Sequence, residues 1–126
     1  MDEDQLAIGA VQRYYAAFNK ALTTLKTTEM RKLFQPGCVV CERDAAQIER
    51  MARDGDRITG GVTTLTDFTV TLRSAQHLSL LASSRTEAMI IKDATGKVTT
   101  DRKAASGHKN FTVFRRGSDW ILEGIS

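Results

Sequence analysis

The sequence predicts an α+β fold in which N-terminal helices pack on a curved, mostly antiparallel sheet of four to six strands. Apolar residues recur at spacings of three and four over the first 54 residues, and at every second position after residue 57. Helical and strand patterns thus occupy separate parts of the chain, and no linker divides residues 1–126. We expect a single domain, shaped as a cone around its longest helix, with a pocket at the open end.

Three helices are predicted in the N-terminal part. The second helix runs from Thr28 to Phe34 and ends before Pro36, because proline cannot continue a helix. The third runs over 42–54 and ends at Gly55. The first and longest helix covers residues 5–27, with an apolar stripe made of Leu6, Val11, Tyr14, Tyr15, Phe18, Leu22 and Leu25.

Alternating apolar and polar residues predict the strands of the C-terminal part. Gly96 supplies a positive φ for the hairpin loop over 93–97, and 117–119 forms a closing hairpin. The longest segment changes its apolar face along its length, which predicts a bulge near Ser83 and Ser84. The predicted strands cover 57–61, 67–73, 78–92, 97–103, 108–116 and 120–125.

Charge and hydropathy argue against two classes of partner. The 18 basic and 15 acidic residues are dispersed, and the longest basic runs, at 102–103 and 115–116, are only two residues long. A nucleic-acid interface needs a clustered basic surface. No apolar run approaches the roughly 18 residues of a membrane span, and the start of the chain is acidic where a signal peptide is basic. We therefore expect a soluble chain without a nucleic-acid partner.

Both cysteines, Cys38 and Cys41, lie in one C-x-x-C pair just before the third helix. As a disulfide they close a very short loop, worth about 2 kcal/mol in the chain-entropy model. As a redox pair they would use the helix N-terminus to favour a thiolate. As a metal site they need two more ligands, and His77 and His108 lack the required spacing. An oxidising compartment favours the disulfide, and a reducing one does not.

The order of elements resembles a known fold. The long helix with Tyr14, Tyr15 and Phe18 at its centre, the short second helix, and the last strands with Phe111 and Trp120 resemble the nuclear transport factor 2-like, cystatin-like cone fold. The resemblance covers nearly the whole chain and implies the fold rather than a function. Family analogy further implies that two copies pair through an open sheet face as a homodimer.

A narrower resemblance concerns the cysteine pair. The stretch from Gly37 to Cys41, followed by a helix with Ile48 and by Gly60 and Gly61, looks like an uncharacterised family of actinobacterial lipoproteins. That resemblance implies an extracytoplasmic location, an oxidised cysteine pair, and an N-terminal lipid anchor upstream of this sequence, which itself carries no lipobox. A cytoplasmic location is the alternative if the resemblance fails, and Met1 is then the native start.

The cone resemblance also implies a candidate pocket chemistry. Enzymes with this fold that shift protons use a carboxylate base together with a phenol or a protonated acid. Tyr14 or Tyr15 could supply the phenol, and Asp67 or Glu87 the carboxylate. Strand parity places Asp67 on the solvent side, while Glu87 shares a face with Arg85, which could neutralise it.

We therefore expect a non-enzymatic, extracytoplasmic binding or interaction module, with a protein or a small apolar ligand as partner. No cofactor or metal is expected, and membrane contact is expected only through the upstream anchor. Two alternatives stay open: a pocket enzyme of the isomerase or dehydratase kind, and a thiol–disulfide protein that uses Cys38 and Cys41.

Overall fold

The computed structural model describes residues 2–126, so the question of whether Met1 is the native start lies outside it. Three helices precede seven strands, which confirms the predicted α+β class, although the strand count exceeds the expected four to six. The elements are α1 (Glu3–Thr24), α2 (Thr28–Arg31), α3 (Val39–Asp54), β1 (Arg57–Gly60), β2 (Thr63–Arg73), β3 (His77–Thr86), β4 (Met89–Lys92), β5 (Val98–Arg102), β6 (Ala105–Arg116) and β7 (Asp119–Ile125).

Asp2 and Leu25 cap the two ends of helix α1. The carboxylate of Asp2 accepts a hydrogen bond from the Gln5 backbone N–H at 2.8 Å. At the other end Leu25 adopts a left-handed conformation with φ 57°, and its N–H binds the Ala21 carbonyl. This turn ends the helix at Thr24, earlier than the predicted residue 27.

The boundaries of α2 and α3 follow from contacts that the periodicity does not show. Helix α2 ends at Arg31 because Phe34 forms a parallel bridge with Leu122 of β7 instead of continuing the helix. Helix α3 begins at Val39, before the predicted residue 42, because the Cys38 sulfur caps its first turn by accepting from the Cys41 N–H at 3.4 Å. No helix within residues 2–126 is both long enough and apolar enough to cross a membrane.

The strands form two antiparallel sheets that meet along a bend. One sheet has the order β2-β3-β6-β7 and the other the order β1-β4-β5. Between them the chain passes through Gly61 and Val62 and, on the neighbouring strand, through Glu87 and Ala88. Hydrogen bonds from the Gly61 N–H to the Ala88 carbonyl (3.1 Å) and from the Glu87 N–H to the Val62 carbonyl (2.9 Å) hold these connections together. We call this bend the fold line.

The bulge that the sequence predicts near Ser83 and Ser84 does not occur in β3. Strand β3 pairs with β6 without a register shift from His77 to Thr86, so the change of apolar face arises at Glu87 and Ala88, where one sheet gives way to the other. A bulge does lie next to Ser83, opposite Ala82, but in β2, where Asp67 has φ 56° and the register shifts. The extra residue there allows both Leu65 and Phe68 to pack against the core.

Helix α1 is also joined to the fold line by one polar side chain. The Asn19 amide donates to the Thr63 carbonyl at 2.9 Å and accepts from the Thr63 N–H at 3.0 Å. Asn19 thereby supplies the hydrogen bonds that a neighbouring strand would give to the first residue of β2. The main core lies between α1, α3 and the four-stranded sheet, and its largest fully buried side chains are those of Tyr14, Phe111, Met30, Ile48, Leu78, Leu80 and Leu122.

Glycine at position 60 is required by space as well as by backbone conformation. Gly60 and Gly96 both have a positive φ, 76° and 88°, but a Cβ at position 60 would lie 2.0 Å from the Ala88 carbonyl oxygen, whereas nothing lies within 4 Å at position 96. We predict that Gly60→Ala lowers the free energy of unfolding by about 3 kcal/mol or more, and Gly96→Ala by about 1 kcal/mol. Urea denaturation measures both, and equal losses would contradict the role given to the fold line.

Candidate functional site

A cavity of about 400 Å³ lies beside the fold line, and its walls come from α1, α3, the three-stranded sheet and the adjoining ends of β2, β3 and β6. Its volume falls in the range of sites for small molecules. The apolar part of its wall comes from both helices and from β1 and β4, and consists of Phe18, Leu22, Ile48, Met51, Ile58, Met89 and Ile91.

Asp44 is the one half-buried carboxylate in the cavity wall. It lies on α3, one turn before Ile48, and its Oδ2 atom accepts a hydrogen bond of 3.4 Å from the Tyr14 hydroxyl. Burial raises the pKa of Asp44 above the ordinary range of a carboxyl, while the charges of Arg43 and Lys109 and the Tyr14 hydrogen bond act in the opposite direction. Arg43, Lys109 and the Tyr14 hydroxyl therefore offset part of the free-energy cost of burying ionised Asp44.

Both tyrosines named from the sequence are buried, and neither lines the cavity. Tyr14 reaches the cavity only through Asp44. The Tyr15 ring packs edge-on against Phe18 and Phe111, at centroid distances of 5.8 and 5.9 Å. Burial, together with the nearby charge of Asp44, raises the pKa of both phenols well above their ordinary range. At neutral pH they act only as neutral hydrogen-bond donors or acceptors.

The structure does not bring the two predicted carboxylates together with the tyrosines. Asp67 is exposed at the β2 bulge and does not line the cavity. Glu87 lines the cavity from the fold line rather than from a strand, and its side chain is exposed. No ion pair between Glu87 and Arg85 occurs in the part of the chain that the structure describes.

Sequence reasoning missed Asp44, although the sequence contains a signal for it. On α3 the buried positions are Cys41, Ala45, Ile48 and Met51. Residue 44 lies three positions after the first of these and four before Ile48, so helical spacing places it on the same stripe. A carboxylate on a buried stripe costs free energy unless it has a partner, which makes it a candidate for function.

Cys38 and Cys41 form a disulfide, with Cα atoms 5.3 Å apart. Both residues are fully buried. The thiol–disulfide hypothesis requires a sulfur that solvent and substrates can reach, so this burial argues against it. The metal hypothesis also lacks ligands, because residues 2–126 contain no cluster of three or more His, Cys, Asp or Glu side chains. The Nε2 atom of His77 lies 3.4 Å from the Oε1 atom of Glu123, and His108 is exposed on β6.

Comparison with solved structures identifies the fold. The intermembrane space region of the chloroplast protein ARC6 is similar over 100% of this chain and 95% of its own, with a TM-score of 0.67 and 15% identity. A ketosteroid isomerase-like protein from Erwinia carotovora atroseptica is similar over 99% and 95%, with a TM-score of 0.58 and 14% identity. An uncharacterised protein with a cystatin-like fold from Caulobacter vibrioides is similar over 94% and 86%, with a TM-score of 0.57 and 11% identity.

The chain therefore has the nuclear transport factor 2-like, cystatin-like fold that its element order predicted. No protein-family model and no curated protein matches it in sequence. Because this fold carries both enzymes and proteins without catalytic activity, the fold alone assigns no function. The homodimer implied by the resemblance stays a prediction.

We predict that Asp44→Asn stabilises the protein relative to the wild type increasingly as the pH rises. A carboxyl whose folded pKa is raised above 3.8 contributes stability below its unfolded pKa and loses it as the pH rises through the folded pKa. Asparagine keeps an acceptor for the Tyr14 hydroxyl without the buried charge. Urea unfolding from about pH 3 to about pH 8, followed by the fluorescence of the single tryptophan, Trp120, measures the difference. A difference that stays constant or shrinks with pH would contradict this account.

Proposed function

We propose that this protein is a non-enzymatic binding domain whose cone cavity takes a small, largely apolar ligand. The observation that carries the proposal is the cavity of about 400 Å³, whose walls, mainly from α1, α3 and the three-stranded sheet, hold seven large apolar side chains beside polar ones. Sites for small ligands combine apolar walls with a few polar groups that fix orientation. Asp44 and the exposed charged residues at the mouth, described below, supply those polar groups.

The arrangement of the polar groups favours binding over catalysis. Proton transfer next to a carbonyl needs a base on one side of the substrate and a donor that polarises the carbonyl on the other. Here both buried phenols, Tyr14 and Tyr15, lie near Asp44, but neither lines the cavity, and the Tyr14 hydroxyl donates to Asp44 itself. Because Tyr14 does not line the cavity, it is not placed to polarise a bound carbonyl.

We further propose that the domain works outside the cytoplasm, as part of a lipoprotein anchored upstream of this sequence. The buried Cys38–Cys41 disulfide supports the location, because such bonds persist in oxidising compartments and are rare in reducing ones. The anchor rests on the resemblance to actinobacterial lipoproteins alone. A cytoplasmic protein would carry the two residues as free thiols.

Proton transfer is the second candidate function, and one observation favours it. Asp44 combines partial burial, a raised pKa and a place in the wall of an apolar cavity, which are the properties of a general base. Deuterium exchange into an apolar ketone such as 1-tetralone, dissolved in heavy water, would support this function if the wild type accelerates it and Asp44→Asn does not.

The binding function predicts saturable uptake of a neutral apolar probe. In calorimetric titrations with decanol we expect one-to-one binding to the wild type. Ala105 lines the cavity and its neighbour Ala104 does not, so Ala105→Trp should fill part of the cavity and weaken binding about tenfold or more, while Ala104→Trp should leave it unchanged. An absence of binding to the wild type, or equal affinity in the two variants, would count against the proposal.

The extracytoplasmic location predicts a disulfide that resists reduction in the folded protein. Because both sulfurs are buried, glutathione can reach them only after the surrounding structure opens. Intact mass after treatment with reduced glutathione and an alkylating agent should show the oxidised form in buffer and two alkyl groups in urea. Rapid reduction without urea would favour a redox role, and thiols that never pair would favour the cytoplasm.

A further inference from the structure

Three cationic side chains line the cavity at its mouth: Arg50 on α3, Arg102 at the end of β5, and Lys103 directly after it. All three residues are exposed to solvent, so they lie on the open side of the cavity. None of them forms an ion pair among residues 2–126, whereas Arg31 and Arg73 each pair with carboxylates elsewhere on the surface.

The carboxylates of the cavity do not balance these cations. Asp44 and Glu87 are the two acidic residues of the wall. Asp44 is hydrogen-bonded by Tyr14 and already lies in the field of two further cations, Arg43 and Lys109. Glu87 shares the mouth with Arg102 but makes no ion pair with it in the described residues. The entrance is therefore net positive.

The apolar wall suits an alkyl chain, and the positive mouth suits an anionic head group of the same ligand. The flexible side chains of Met51 and Met89 and the rigid one of Ile48 offer an apolar surface that adapts to an alkyl chain. At the mouth, Arg50 lines the cavity from α3 and Arg102 from the end of β5. Guanidinium groups bind oxyanions through paired, charge-assisted hydrogen bonds.

We propose that the ligand is a single-chain anionic amphiphile, bound with its apolar chain in the cavity and its oxyanion head between Arg50 and Arg102. This inference rests on the proposed binding function and adds the chemical class of the ligand. Lys103 contributes positive charge to the same end of the site. Asp44, deeper in the wall, disfavours an anion that enters head first, and so sets the direction in which the ligand lies.

Three ten-carbon probes that differ only in their head group test the proposal: decanoate, decanol and decylammonium. In calorimetric titrations of the wild type at low salt we expect decanoate to bind about tenfold more tightly than decanol, and decylammonium most weakly. The preference for decanoate should shrink as sodium chloride is added, because salt screens charges that are exposed to solvent.

Variants of the arginines test where the anionic head group binds. In the double variant Arg50→Gln, Arg102→Gln we expect decanoate to lose its advantage over decanol, and continued binding of decanol shows that the cavity is intact. Arg57→Gln serves as the control, because Arg57 is an exposed cation on β1 that does not line the cavity. It should keep the preference of the wild type.

Each contrary outcome has a distinct meaning. Equal affinities for decanoate and decanol in the wild type would overturn the anionic class while leaving the binding function standing. A preference for decanoate that survives in the double variant would place the head group elsewhere and overturn the assignment of Arg50 and Arg102. If no probe binds, the proposed binding function itself fails.

Discussion

The two-sheet architecture depends on a close backbone approach at Gly60, where a Cβ atom would lie 2.0 Å from the Ala88 carbonyl oxygen. Beside it, a Cβ at Gly61 would lie 2.9 Å from the Met89 sulfur. Only residues without a side chain allow the strands to turn so tightly here. The turn places the three-stranded sheet beside α1 and α3: β1 contacts α1, and the cavity lies between this sheet and the two helices.

The parts of the structure that periodicity dictates were predictable, and those that depend on contacts between distant segments were not. The stripe of α1 and the alternation in β6 each bury one face, so their patterns identify them. The end of α2 was placed wrongly because Phe34 pairs with β7, some ninety positions later in the chain. The fold line was missed for the same reason: two adjacent glycines indicate a turn, but not which carbonyl they approach.

The candidate site shows the same division. The sequence analysis named Tyr14, on the apolar stripe of the first helix, as a candidate phenol, and the structure places its hydroxyl 3.4 Å from a carboxylate. The partner of Tyr14 was not among the predicted carboxylates, because Asp67 and Glu87 were chosen from strands, whereas Asp44 lies on α3. Reading α3 for polar residues on its buried stripe, rather than only for its apolar ones, would have found Asp44.

The two sheets differ in how much of the buried core they supply. The four-stranded sheet packs directly against α1 and α3 and supplies most of the buried core, including Leu78, Leu80 and Phe111. The three-stranded sheet contributes only the partly buried Ile58 and Ile91, whose side chains line the cavity. Only a molecule inside the cavity could cover the exposed parts of these two side chains. If the proposed binding function holds, a molecule in the cavity would cover Ile58 and Ile91 and would stabilise the folded protein by mass action.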